Sequence, residues 1–179
     1  VVDLESNLLD DKTIIETSFQ QINMKQLEWK CKRFEQLDTN QLYELIKFRV
    51  DIFVVEQHCP YPELDEKDRV ADTHHLIAYQ NTKIIAYARL LPPGASYPDS
   101  SIGRFAVDGT LRRQGIGSAL MSKCLEQMAI LWPDHGIKVS AQAHLKIFYE
   151  SFGFAQTSKS YLEDGIPHIE MLKNKPHAL

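Results

Sequence analysis

Cysteine is scarce and unpaired in this chain: Cys31, Cys59 and Cys124 form an odd, scattered set with no C-x-x-C spacing. That pattern argues against both a disulfide framework and a structural zinc site, so reduced thiols and no metal are expected. No apolar run approaches the roughly 20 residues of a membrane-spanning helix, and the acidic N-terminal stretch lacks the charged-then-apolar order of a signal peptide. Basic charge is not in excess either. A formal net charge of -4 offers no global attraction to nucleic-acid phosphates or anionic lipid. Internal repeats and low-complexity linkers are missing as well. The expectation is a cytoplasmic protein without nucleic-acid or membrane partners. Its 179 residues, 44% of them hydrophobic, are enough for one substantial core and hardly for two.

Residues 1–23 carry acidic and polar runs around short apolar pairs and read as an extension of unknown role; the domain is expected to span 24–179, from Met24 onward. Leu27 to Phe34 reads as a strand. Asp38, with Gln41 three residues later, resembles a capping box that opens an amphipathic helix bearing Leu42, Leu45, Ile46 and Phe53. From Glu56 to Asp72 two prolines and six acidic side chains break the periodicity, giving an acidic connector whose carboxylates read as a solvated face. His75 to Tyr79 and Lys83 to Leu91 form a hairpin, followed by a strand over Ile102 to Val107 and a helix over Ile116 to Leu131. Ile137 to Ala143 alternates as a strand. A short helix carrying Leu145, Phe148 and Phe152 stops at Gly153, and two strands close the chain around Asp164-Gly165. The fold class is α+β (mixed α/β).

The most informative stretch runs from Arg112 through Arg113, Gln114, Gly115, Ile116, Gly117 and Ser118 to Ala119, between a strand and an amphipathic helix. The first amides of a helix have no internal partner and meet the positive end of its dipole, so an anion placed there satisfies them. A Walker A loop does not fit, because five residues separate Gly109 from Gly115 and no lysine follows. A dinucleotide fingerprint fits poorly, with Leu120 in place of the third small residue. R-x-x-G-x-G opening a helix after a strand resembles the pyrophosphate motif of the GNAT superfamily.

About thirty residues on, the run from Gln142 to Phe154, with Phe148-Tyr149 and Gly153-Phe154, resembles the second signature of that superfamily. The stretches Phe53 to Asp65, Asp72 to Leu76, Ile102 to Arg104 and Tyr161 to His168 look like the ElaA branch, so the resemblance spans roughly Leu27 to Leu172. It implies a central, mostly antiparallel sheet with splayed central strands flanked by helices, and transfer of acetyl from acetyl-CoA directly to a primary amine in a ternary complex. A non-catalytic acyl-CoA sensing module of the same fold is the alternative. The resemblance implies that Phe105, Ala106 and Val107 pair with the pantetheine arm, that Arg112 to Ala119 hold the diphosphate, and that Gln142 and Phe148 also line the cofactor site. Gln142 stands where many members have asparagine.

Tyr149 is the expected general acid for the departing thiolate, since a phenol stays protonated at neutral pH. A backbone amide near Val107 would polarise the carbonyl. For the base that deprotonates the amine, Glu56, Glu63, His74 and His75 are candidates, with Asp65 and His168 in similar segments. The acidic connector would attract a cationic amine by charge. The identity of the acceptor and the oligomeric state, a homodimer included, are not legible in any motif.

Overall fold

Two-residue alternation of apolar side chains builds a single sheet from the residues 27–175 that the computed structural model describes; the extension assigned to residues 1–23 lies outside them. Its strands are β1 (Glu28–Arg33), β2 (His74–Gln80), β3 (Lys83–Leu91), β4 (Ser100–Val107), β5 (Ile137–Gln142), β6 (Ala155–Gln156), β7 (Tyr161–Glu163) and β8 (Ile166–Lys173). They lie in the order β1-β2-β3-β4-β5-β8-β6, with β7 also on β8, and β4–β5 is the parallel junction among antiparallel pairs.

Helix α1 (Thr39–Arg49) opens as its sequence requires. Asp38 accepts a hydrogen bond from the Gln41 amide at 2.9 Å, while the Gln41 side chain accepts from the Asp38 amide. The helix then widens into a π-helical segment, Val50–Glu56, a rare form that is frequent at functional sites. Leu45 packs on Ile77, Tyr79, Ile84 and Tyr87, so α1 covers one face of β2 and β3. Helix α2 (Ile116–Leu131) covers the opposite face with Ile116, Leu120, Cys124 and Met128, the face that its sequence marks as apolar. Each such side chain fully buried contributes roughly 1.5–3 kcal/mol. Helix α3 (Lys146–Glu150) follows β5 through a short 3-10 turn and joins the same core through Tyr149.

Two departures from expectation have local causes. The strand expected from Phe154 to Tyr161 is divided into β6 and β7: the Thr157 amide still donates to the Glu170 carbonyl at 2.8 Å, but the Glu170 amide donates to the Ser158 hydroxyl instead of to a main-chain carbonyl. The acidic connector contains a 3-10 turn and turns three of its acids, Glu63, Asp65 and Asp68, inward to an ion-pair layer.

The feature that positions the site is the β4–β5 junction. Only Ser100 with Ile137 and Ser101 with Lys138 are paired, after which the strands part. Beyond that point Ile102–Val107 and Val139–Gln142 face each other without a ladder. A bulge in β4 accompanies the parting: Tyr87 pairs with Ala106 but Arg89 with Gly103, so β4 holds an extra residue, and Arg104 takes a left-handed φ of +53°.

Candidate active site

At the open end of β4 the chain turns through Gly109–Leu111 and enters α2 at Gly115. Gly115 has φ +84°, a conformation that suits glycine best, and Arg113 is also left-handed at φ +62°. The first helical bond runs from the Ala119 amide to the Gly115 carbonyl at 3.0 Å. The amides of Ile116, Gly117 and Ser118 therefore have no acceptor among the described residues. Gly117 differs from Gly115 in what requires it. A Cβ there would meet only a Val107 methyl at 3.9 Å, an ordinary contact, so internal packing does not demand a glycine. Its bareness matters to whatever approaches the helix end from outside.

Arg112 differs from expectation. Its guanidinium donates to both Glu56 oxygens, at 2.5 and 3.0 Å, and its Nε to the Val107 carbonyl at 3.2 Å. It braces the turn against the π-helical segment instead of standing free for an anion. Arg113 makes no ion pair among the described residues, and with the α2 amides it supplies the positive character of this turn.

Tyr149 lies beside the parted strands. Its ring packs on Phe105 of β4 (centroids 6.4 Å), Phe148 (5.3 Å) and Phe154 (5.7 Å), and Phe105 also meets Phe148 at 5.9 Å. Burial raises the phenol above its ordinary pKa, which keeps it protonated. The hydroxyl has no hydrogen-bond partner among the described residues, yet it is not an enclosed orphan: the enclosed side-chain polar atoms without a partner there are Arg89 Nε and Ser101 Oγ. A buried ring thus carries a free donor to an accessible gap.

Gln142, at the end of β5, donates to Gln57 Oε1 at 3.3 Å, just beyond the π-helical segment. The Cys59 thiol approaches the Asp164 carbonyl at 3.7 Å in the β7–β8 turn. These contacts carry the connector across the mouth of the parted strands, from the α1 half of the sheet to the β5–β8 half. Gln57 and Arg104 fall in stretches that resemble the ElaA branch, but no local pattern gave either a role, since their importance comes from partners far along the chain.

Three of the connector's six carboxylates, Glu63, Asp65 and Asp68, are not part of a solvated face, which corrects the reading from sequence for them; Glu56, Glu66 and Asp72 are exposed as expected. Glu63 is 5% exposed. One of its oxygens accepts from Arg49 Nε at 2.5 Å; the other accepts from Arg104 Nε at 2.6 Å and from the Tyr61 hydroxyl. Asp68 binds Arg49 and Arg89, and Asp65 binds Arg89 in a two-pronged contact. Burial opposes ionisation of Asp65, but the hydrogen bonds and charge of Arg89, then the charge of Arg104, outweigh it and hold the carboxyl at about 2. Because these acids are neutralised by arginine, the expected attraction of a cationic amine to the connector loses most of its source.

The four candidate bases are not brought together. Glu56 is clasped by Arg112, and Glu63 is enclosed with both oxygens engaged. His75 is 1% exposed; its Nε2 donates to the Asp68 carbonyl, its Nδ1 accepts from Tyr87, and burial pushes it down to about 4 against the pull of Asp68. His74 packs on Trp132 at the end of α2, and its strand position aligns through Leu90 with Ile102, at the closed end of β4. His168 sits elsewhere: its Cα partner across β5–β8 is Gln142, at the open end.

The parted pair of central strands, the N-terminus of α2 beside Val107 and the unbonded Tyr149 hydroxyl lie around one opening. The family described as Acetyltransferase (GNAT) domain matches residues 49–175. Protein ElaA of Escherichia coli K12 is 42% identical over 147 residues, covering 82% of this chain and 96% of that protein. A UPF0039 protein of Schizosaccharomyces pombe is 41% identical over 149 residues, covering 83% and 97%. Among solved structures, an acyl-CoA N-acyltransferase from Pseudomonas aeruginosa superposes with a TM-score of 0.79 at 44% identity, over 82% of this chain and 99% of that one. The crystal structure of E. coli ElaA gives 0.79 at 41% identity, over 83% and 99%. With the fold, the two signatures and these likenesses in agreement, the chain belongs to the GNAT acyltransferase family and to its ElaA-like proteins.

Proposed function

We propose that this protein transfers the acetyl group of acetyl-CoA to a primary amine, directly and in a ternary complex. The observation that carries the proposal is the convergence of three unpartnered features on one gap: the α2 amides, the facing edges of β4 and β5, and the Tyr149 hydroxyl. The amides of Ile116, Gly117 and Ser118, with Arg113, would hold the diphosphate. The edges at Phe105–Val107 and Val139–Gln142 would take the pantetheine arm by strand addition, with Gln142 and Phe148 beside it. Acetyl-CoA supplies the activated acyl carbon. Tyr149 supplies the proton that the departing sulfur requires, and its packing against Phe105, Phe148 and Phe154 fixes that hydroxyl at the gap. Residues 24–179 would form the catalytic domain, acting in the cytoplasm.

The test combines binding with turnover. Acetyl-CoA at saturating concentration should raise the melting temperature, and thiol release should follow addition of a suitable amine. Tyr149→Phe should retain the thermal shift and lose on the order of 10²-fold in kcat. A thermal shift without thiol release across a broad amine panel, together with indifference to Tyr149→Phe, would establish an acyl-CoA sensor instead.

A further inference from the structure

The proposed reaction leaves the amine's proton without an assigned acceptor, and the geometry points to His168. We infer that Nε2 of His168 is the base that deprotonates the acceptor amine, an inference that rests on the acetyltransferase reading above.

Three observations support it. The first is position. His168 is the register partner of Gln142, the last residue of β5, so it stands at the end of the sheet where β4 and β5 have parted. The second is the face. Its neighbour Ile169, and Met171 beyond, are buried in the core that contains Tyr149 and α2. Strand alternation therefore directs His168 to the opposite face of the same opening. A group transferred through the opening thus has the acid on one side and the imidazole on the other, so an amine can approach from the His168 face while the thiol departs on the Tyr149 face.

The third is the proton inventory of the ring. Nδ1 lies 2.8 Å from the Ile166 carbonyl. A carbonyl only accepts, so Nδ1 carries the hydrogen, and in the neutral ring the lone pair resides on Nε2. The ring is half-buried and lies against Tyr161, with centroids 6.2 Å apart and planes at 31°, which limits its rotation. The same face carries Tyr161 and Glu163 from β7, and Lys138 from β5 paired to Glu170 of β8 at 2.8 Å. Ser140 donates to Glu163 at 2.7 Å, and Glu163 has no cationic partner among the described residues. One carboxylate on this floor therefore stands ready to accept hydrogen bonds from an ammonium group.

The step balances as follows. An ammonium N–H proton passes to Nε2, and the freed nitrogen lone pair forms the C–N bond. The C–S bond breaks with its electron pair moving to sulfur, which takes the Tyr149 proton. The second nitrogen proton restores Tyr149 through solvent, and Nε2 returns its own proton to solvent, so each turnover releases one proton.

The experiment compares the wild-type protein with His168→Ala and Glu163→Gln, using acetyl-CoA with spermidine, ethanolamine and Nα-acetyl-lysine as probe amines. His168→Ala should lose on the order of 10²-fold in kcat while keeping the thermal shift with acetyl-CoA, and added imidazole should restore part of the rate in proportion to its concentration. Glu163→Gln should raise the KM for the amine with a smaller effect on kcat. Imidazole nitrogen NMR of the wild-type protein should show the Nδ1–H tautomer at His168, a readout that depends on neither turnover nor the variant's folding. Wild-type rates in His168→Ala, a loss that imidazole does not relieve in a variant still stabilised by acetyl-CoA, or an Nε2–H tautomer would each overturn the assignment. Absence of thiol release by the wild type with every amine would instead sink the acetyltransferase reading itself.

Discussion

At the scale of single residues, the site separates groups that fold the protein from groups that serve a ligand, and Gly117 shows the difference. It lies in the first turn of α2, where a Cβ would make only an ordinary contact at 3.9 Å. Gly117→Ala should therefore leave folding intact or strengthen it by up to about 1 kcal/mol through helix propensity. It should weaken acetyl-CoA binding at least several-fold by crowding the amides, as read by calorimetric titration beside thermal melts. Glu56 makes a second case. Its ion pair with Arg112 is roughly two-fifths exposed on both sides, and such pairs contribute about 0–1 kcal/mol. Glu56→Gln should change stability little and free Arg112 for the diphosphate, lowering the Kd for CoA a few-fold. A kcat loss of 10²-fold or more in that variant would reinstate Glu56 as the base.

At the scale of elements, sequence legibility followed the range of the interactions. The Asp38 capping box, the buried face of α2, the left-handed Gly153 and the Asp164-Gly165 turn are all set by residues within a few positions of one another, and all could be read directly. The acidic connector could not. Its character depends on Arg49, Arg89 and Arg104, which lie 14 to 41 positions from the carboxylates they bind, and no local pattern distinguishes a paired acid from a solvated one. Arg49 did leave one trace: it follows Leu45 by four residues on the packed side of α1, a place where an unpaired charge would not be tolerated. Glu63→Gln should accordingly be severe, costing about 3–5 kcal/mol, because it weakens the pairing of the buried Arg49 and the half-buried Arg104 at once. Urea denaturation would measure it.

The same layer sets the acid response. His75 is held at about 4 in the folded chain against roughly 6.5 when unfolded. The unfolded state then binds the extra proton, so stability is complete above about pH 6.5 and falls as pH drops toward 4, by on the order of 3 kcal/mol. Asp65 is depressed to about 2, which adds a second loss from roughly pH 4 downward, again because the unfolded chain takes up the proton first. Melting temperature against pH should show both stages, and His75→Gln should remove the upper one. A flat profile between pH 6.5 and 4.5 would contradict the buried neutral imidazole.

At the scale of the whole molecule, the two halves of the sheet carry different duties. The β1–β4 half, backed by α1 and the ion-pair layer, anchors the turn that enters α2. The β5–β8 half presents Gln142 and His168. Acetyl-CoA bridging the halves should raise the melting temperature in step with concentration, by about 2.7 kcal/mol of stability at one hundred times Kd. Hydrogen exchange should slow most at Phe105–Val107 and Val139–Gln142, the edges that have no strand between them. Protection confined to the α2 turn would mean that the arm does not lie in the gap.

The two rungs at Ser100–Ile137 and Ser101–Lys138 make the sheet resemble a book bound only at its lower corner. The extra residue at Arg104 lies where the pages part, and their inner margins stay unpaired where an ordinary sheet would have consumed them. An extended molecule inserted between the pages should then tighten the whole volume, and the empty sheet should be its loosest form.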